Sequence, residues 1–143
     1  MIIKILSKQV PIFWEAIKSA SVQADEVDRK NYQAYLNELL HALLSDKAQC
    51  FIRLSEERIL LFILITRFQI DKVTGNKNLF VQSLYSWKKI DEETLQDAGN
   101  LVKNFAKREG CSHLFFESRH ERVWQFAESL GFRECLRRFI FDL

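Results

Sequence analysis

The stretch "ESRHERVWQFAESLGFRE", residues 117 to 134, opens with a carboxylate, a hydroxyl and an imidazole on Glu117, Ser118 and His120. Groups of this kind can take up or release a proton when a substrate lies beside them. The same residues also fit a structural role. Ser118 and Glu121 have the spacing of a capping box, which would leave His120 as an exposed residue of the first helical turn. Val123, Phe126, Ala127 and Leu130 follow at three- and four-residue spacing and predict one buried helix face. Gly131 stands where a left-handed residue ends a helix, so a strand can begin directly after it.

Other chemistries find little support. His41, His113 and His120 show neither a HExxH arrangement nor paired cysteines, so no zinc site is expected. There is no G-x-S-x-G elbow, no P-loop and no dinucleotide fingerprint. Cys50, Cys111 and Cys135 form no CxxC pair and no even set, which fits a reducing, intracellular location. Aromatic residues make up 13% of the chain, but Phe13, Trp14, Phe62, Phe80, Phe105 and Phe126 fall on apolar stripes and read as packing. They do not form a base-stacking platform.

The chain has 143 residues, 48% of them hydrophobic, with four glycines and one proline, so one domain over residues 1–143 is expected. The net charge of +2 comes from 21 basic and 19 acidic residues spread along the chain, and it gives no strong signal for nucleic acid. The basic run "RECLRRF" reads as a solvated strand face. No apolar stretch is long enough to cross a membrane, and the seven apolar residues from Ile59 to Ile65 suit a strand buried on both faces.

The elements that must position these groups follow from periodicity. Ile2 to Leu6 predicts a first strand, and Pro11, Phe13, Trp14 and Ile17 a first helix. Residues 21–29 join it to a second helix striped by Tyr32, Leu36, Leu39, Leu40 and Leu43. Cys50 to Leu54 and Ile59 to Ile70 read as a hairpin around "SEER", and Leu79 to Ser86 as the next strand. Asp91 is the expected N-cap of a helix that ends at Lys107, Arg108 and Gly110, with Leu95, Ala98, Leu101, Val102 and Phe105 inward. His113 to Glu117 predicts a short strand, and Phe132 to Phe141 a last one after the final helix.

This order, with "NLFVQSLYSW", "FAKREGCSHLFFES" and "VWQFAESLGFRE", resembles the GNAT (GCN5-related N-acetyltransferase) superfamily. The resemblance implies an α+β fold with a mixed, mostly antiparallel twisted sheet of about six strands flanked by about four helices. It also implies a splay between the fourth and fifth strands that admits acyl-CoA. By the same resemblance, the backbone of Leu84, Tyr85 and Ser86 would pair with the cofactor, and Lys88 and Lys89 would lie beside its phosphates. Glu117, Ser118 and His120 would be the catalytic candidates at the end of the fifth strand. The cofactor would be acetyl-CoA if the protein is active, and none otherwise.

Two positions depart from the family pattern. The family's glycine-containing pyrophosphate loop is replaced by "SWKKIDEETLQ", and no glycine occurs from Leu79 to Ala98. A Cβ keeps a phosphate from close approach to the amides, and carboxylates at Asp91, Glu92 and Glu93 repel it. The tyrosine that serves many members as general acid after the position of Phe126 is here Ala127, which has no proton to give. The departures imply a GNAT-like module that has lost or weakened catalysis and binds a protein partner. The alternative is an active N-acetyltransferase with an atypical phosphate loop. Degenerate members of this kind occur among bacteriophage proteins, including virion components, so the resemblance places such a chain in a host cytoplasm or a virion.

Overall fold

A computed structural model describes residues 1–143. Its elements are β1 (Ile2–Lys4), α1 (Val10–Ala24), α2 (Tyr32–Leu44), β2 (Ala48–Leu54), β3 (Leu60–Ile70), β4 (Lys77–Ser86), α3 (Glu92–Arg108), β5 (His113–Phe116) and α4 (Glu121–Ser129). The five strands lie in the sheet in chain order. All neighbours are antiparallel except β4 and β5, which run parallel from Asn78 beside His113 to Val81 beside Phe116. A parallel neighbour requires a crossover, and α3 supplies it.

The uninterrupted apolar run in β3 is explained by helices on both faces of the sheet. Ile63 and Ile65 point to one side, where they join Cys50, Ile52, Ile17 and Leu39 under α1 and α2. Phe62 and Leu64 point to the other, where they meet Phe51, Leu79, Val102 and Phe105 under α3. Alternating side chains therefore feed two cores, and no polar alternation is needed. Phe105 sits edge-on to Phe51 with ring centres 5.5 Å apart.

The helix ends follow the expected signals with one exception. The Asp91 side chain accepts the Thr94 amide at 2.7 Å, as an N-cap should. Gly131, at φ +89°, closes α4: its amide reaches the Glu128 carbonyl, and the Phe132 amide reaches that of Ala127. Ser118 is the exception. The N-cap of α4 is His120, and the Ser118 hydroxyl accepts the His120 amide at 3.1 Å in a local turn before the helix. The serine satisfied its nearest amide first, which starts the helix at Glu121.

The strand expected over Phe132 to Phe141 is absent, so the sheet has five strands where about six were expected. The residues have strand character, but no ladder partner lies beside them. From Arg133 to Leu143 every residue is exposed. The face of α4 is also less covered than its periodicity predicts. Ala127 is buried, but Phe126 and Leu130 are only half-buried and Val123 is 37% exposed. Residues 21–24, expected in the linker, extend α1 by a turn.

Candidate functional site

The parallel pairing of β4 with β5 stops at Val81, so residues Ser83 to Ser86 have a strand partner only on the β3 side. At that point the strand also changes register. Ile65 pairs with Ser83 and Thr66 with Val81, leaving Gln82 as an extra residue in a β-bulge. A bulge breaks strict alternation, so Gln82 and Ser83, adjacent in sequence, both reach the carboxylate at the end of α1.

That carboxylate belongs to Asp25. It accepts from the Ser83 hydroxyl at 2.7 Å, from the Gln82 amide at 3.1 Å and from the Tyr35 hydroxyl. A negative charge at a helix C-terminus opposes the helix dipole, and these three donors offset that cost. Burial, followed by the adjacent Asp25 carboxylate, pushes the Tyr35 hydroxyl up to about 12, so it stays protonated as a donor. The network continues outward: Arg67 donates to Gln82 at 2.8 Å and forks onto Glu38, whose carboxyl the arginine holds below its usual range. The chain reaches Asp25 through a left-handed turn at Glu26, φ +51°.

Sequence reasoning missed this cluster. Asp25, Tyr35, Glu38, Arg67 and Gln82 are scattered over the chain, and the bulge that gathers them has no local signature. The only sequence signal was a run of polar residues, Gln82 and Ser83, inside an apolar strand.

The residues singled out from the sequence are placed differently. Leu84, Tyr85 and Ser86 do lie on the unpaired half of β4. The Tyr85 side chain turns toward α1, where its hydroxyl donates to Gln23 at 2.9 Å, and its ring meets Trp87 edge-on. Lys88 and Lys89 are exposed in the turn before α3. Glu117 accepts from Arg138 at 3.0 Å, and the Ser118 carbonyl accepts from the Trp124 indole at 2.6 Å. His120 is exposed, with its backbone capping α4. The turn holding Glu117, Ser118 and His120 touches the end of α1 through Arg119 and Glu26, 3.6 Å apart and both largely in solvent. The turn after α1 thus touches both β4, through Asp25, and the turn after β5, through Glu26.

The residues present do not fit a pyrophosphate at the start of α3. The Asp91 carboxylate already occupies the Thr94 amide, and the hydroxyl and amide of Thr94 hold its pKa below the ordinary aspartate value. The Thr94 hydroxyl in turn accepts from Arg53 at 2.8 Å. Two surface concavities, of about 720 and 320 Å³, lie along the outer side of α3 and beside β1, and neither includes a residue from Gln82 to Ser86. Among the His, Cys, Asp and Glu side chains no group of three or more is placed to hold a metal ion. No helix is long and apolar enough to cross a membrane.

No family model matches the sequence, and no curated protein does. Solved structures do match in shape. The aminoglycoside 6'-N-acetyltransferase AAC(6')-Ih from Acinetobacter baumannii superposes with a TM-score of 0.74 at 13% identity, over 100% of this chain and 97% of that one. An aminoglycoside acetyltransferase from an uncultured soil metagenomic sample gives 0.72 at 15% identity, over 100% and 97%. The aminoglycoside N-acetyltransferase AAC(6')-Iy, solved in complex with CoA, gives 0.68 at 14% identity, over 100% and 98%. At such identities the likeness speaks for architecture alone, and along its whole length the chain has the GNAT acetyltransferase fold.

Proposed function

We propose that this chain is an acetyltransferase-fold protein in which acyl-CoA catalysis is lost or much weakened and which works as a structural or interaction module with a protein partner. One observation carries the reading: the amide that would face a phosphate at the start of α3 is already bound by Asp91, with Glu92 and Glu93 beside it. A phosphate docking there meets carboxylates before free amides. Ala127, in the place of a proton donor, supports the same conclusion because it is buried and has no titratable group. The bacteriophage virion role implied by the family resemblance is one form of such a module. A second reading, an active acyl-CoA-dependent N-acetyltransferase, is favoured by the open half of β4 and by the free Lys88 and Lys89.

Calorimetry with acetyl-CoA separates the two. The module reading expects a dissociation constant no tighter than about millimolar, or about −4 kcal/mol. Replacing Glu92 and Glu93 by glutamine should improve it only slightly, since relieving that charge leaves the Thr94 amide held by Asp91. A micromolar constant that disappears with Lys88→Ala and Lys89→Ala would establish the enzyme reading.

A further inference from the structure

The end of the sheet away from the open half of β4 holds a cavity of about 320 Å³, between the segment after β1, the turn after α2 and the last turn of α3. One wall is aromatic: the rings of Phe68 on β3 and Phe105 on α3 stack there with centres 5.9 Å apart. Gln49 reaches the cavity from β2 and is only 4% exposed. Its Oε1 accepts from Thr66 at 2.8 Å, and its Nε2 donates to the Asp46 carbonyl at 2.9 Å. A side-chain amide nitrogen carries two hydrogens, so one buried donor is left over, which folded proteins rarely leave unmet.

The charges on the cavity are unusually arranged. Lys4 and Asp46 line it with opposite signs, yet they form no ion pair with each other or with any other residue. The Lys4 Nζ lies 5.9 Å from the centre of the Phe105 ring, and Asp46 is held in a left-handed turn at φ +61°. Glu109, the third charged residue of the lining, is already engaged: Lys77 lies 3.9 Å from its carboxylate and donates to its carbonyl at 3.2 Å. A cation and an anion left apart on one small cavity attract a molecule that carries both charges in the reverse order, because each then meets its complement. At this volume the cavity lies at the small end of the range for ligand pockets, about 300–1,000 Å³, which is too little for a nucleotide and suits a molecule of amino-acid size.

We propose that this cavity binds a free α-amino acid with an apolar side chain. The ligand's carboxylate takes the Lys4 ammonium, the Ser7 hydroxyl and the spare Gln49 hydrogen, its ammonium faces Asp46, and its side chain lies against Phe68 and Phe105. The site is remote from the start of α3, so it stands whether or not acyl-CoA binds there.

Calorimetry on the full chain with L-leucine as the probe tests the assignment. Binding should weaken at least about tenfold, the factor for about 1.4 kcal/mol, for L-leucinamide, whose carboxylate is masked, and equally for N-acetyl-L-leucine, whose ammonium is masked. Lys4→Met should lower the affinity for L-leucine by a similar factor without weakening that for L-leucinamide. Asp46→Asn should do the same to L-leucine without weakening N-acetyl-L-leucine. Both positions are exposed, and asparagine tolerates a left-handed backbone, so both variants keep the fold. Absence of L-leucine binding at millimolar concentration overturns the proposal, as does binding that both variants leave intact. Equal binding of L-leucinamide overturns it too, since the cavity would then hold a simple amine.

Discussion

The centre of the sheet and the last quarter of the chain both carry large apolar side chains and are opposite in their burial. In β2 and β3 Phe51, Ile52, Phe62, Ile63 and Ile65 are all at or below 2% exposure, each with a helix over it. After Glu117 only Ala127 is buried, although Trp124, Phe126, Leu136, Phe139, Ile140 and Phe141 are as hydrophobic as anything in the core. Hydrophobicity sets the demand for cover, and topology decides whether the chain itself supplies it. In the central strands, helices from both directions of the sequence return to the sheet; over Arg133 to Leu143 no helix or strand packs on the exposed side chains.

Truncating a central residue should have the largest effect. Phe62→Ala, under α3, is expected to lower stability by about 3–5 kcal/mol in denaturant melts, the range for buried aromatic truncation. A loss below about 1 kcal/mol would erase the contrast, since the centre would then be no better packed than the tail.

Asp25→Ala comes next. It strands three donors, from Tyr35, Gln82 and Ser83, around a vacated position. A cost of about 2–3 kcal/mol is expected, with Asp25→Asn in between, because a hydrogen bond to a charged group contributes about 1.5–3 kcal/mol and solvent reaches part of this cluster. An unchanged melting midpoint would show that the cluster is loose and free to bind something else.

Phe126→Ala should cost least, about 1–2 kcal/mol, because the ring is only half-buried on α4. Measured in a dilute sample and again in a concentrated one, the value sharpens the comparison. A cost that grows with concentration would mean that another molecule covers this end.

The same contrast accounts for what could be read in the sequence. Elements whose signals are local were legible: the Asp91 cap, the Gly131 terminus, the two-faced burial of Phe62 to Ile65 within the run expected from Ile59, which is itself 49% exposed, and the order of strands and helices up to α4. The last strand was not, because Phe132 to Phe141 carries strand residue types and says nothing of a partner. Ser118 misled because a serine can accept from the amide two residues on as readily as from one three residues on. The Asp25 cluster was out of reach for a different reason. One extra residue at Gln82 resets which side chains share a face, and a period-two reading cannot place a bulge.

One helix, α3, builds the core on the sheet face opposite α1 and α2. At 17 residues it is about 25 Å long, and Ala98, Val102, Phe105 and Ala106 on it meet Phe51, Phe62, Leu64 and Leu79 from three different strands. No smaller part of that face can open while the helix stays docked. We therefore expect β2, β3 and β4 to lose protection against amide exchange together, with one common opening free energy, and α4 to exchange far sooner. Amides of Phe51, Leu64 and Leu79 exchanging at separate, unrelated free energies would contradict it.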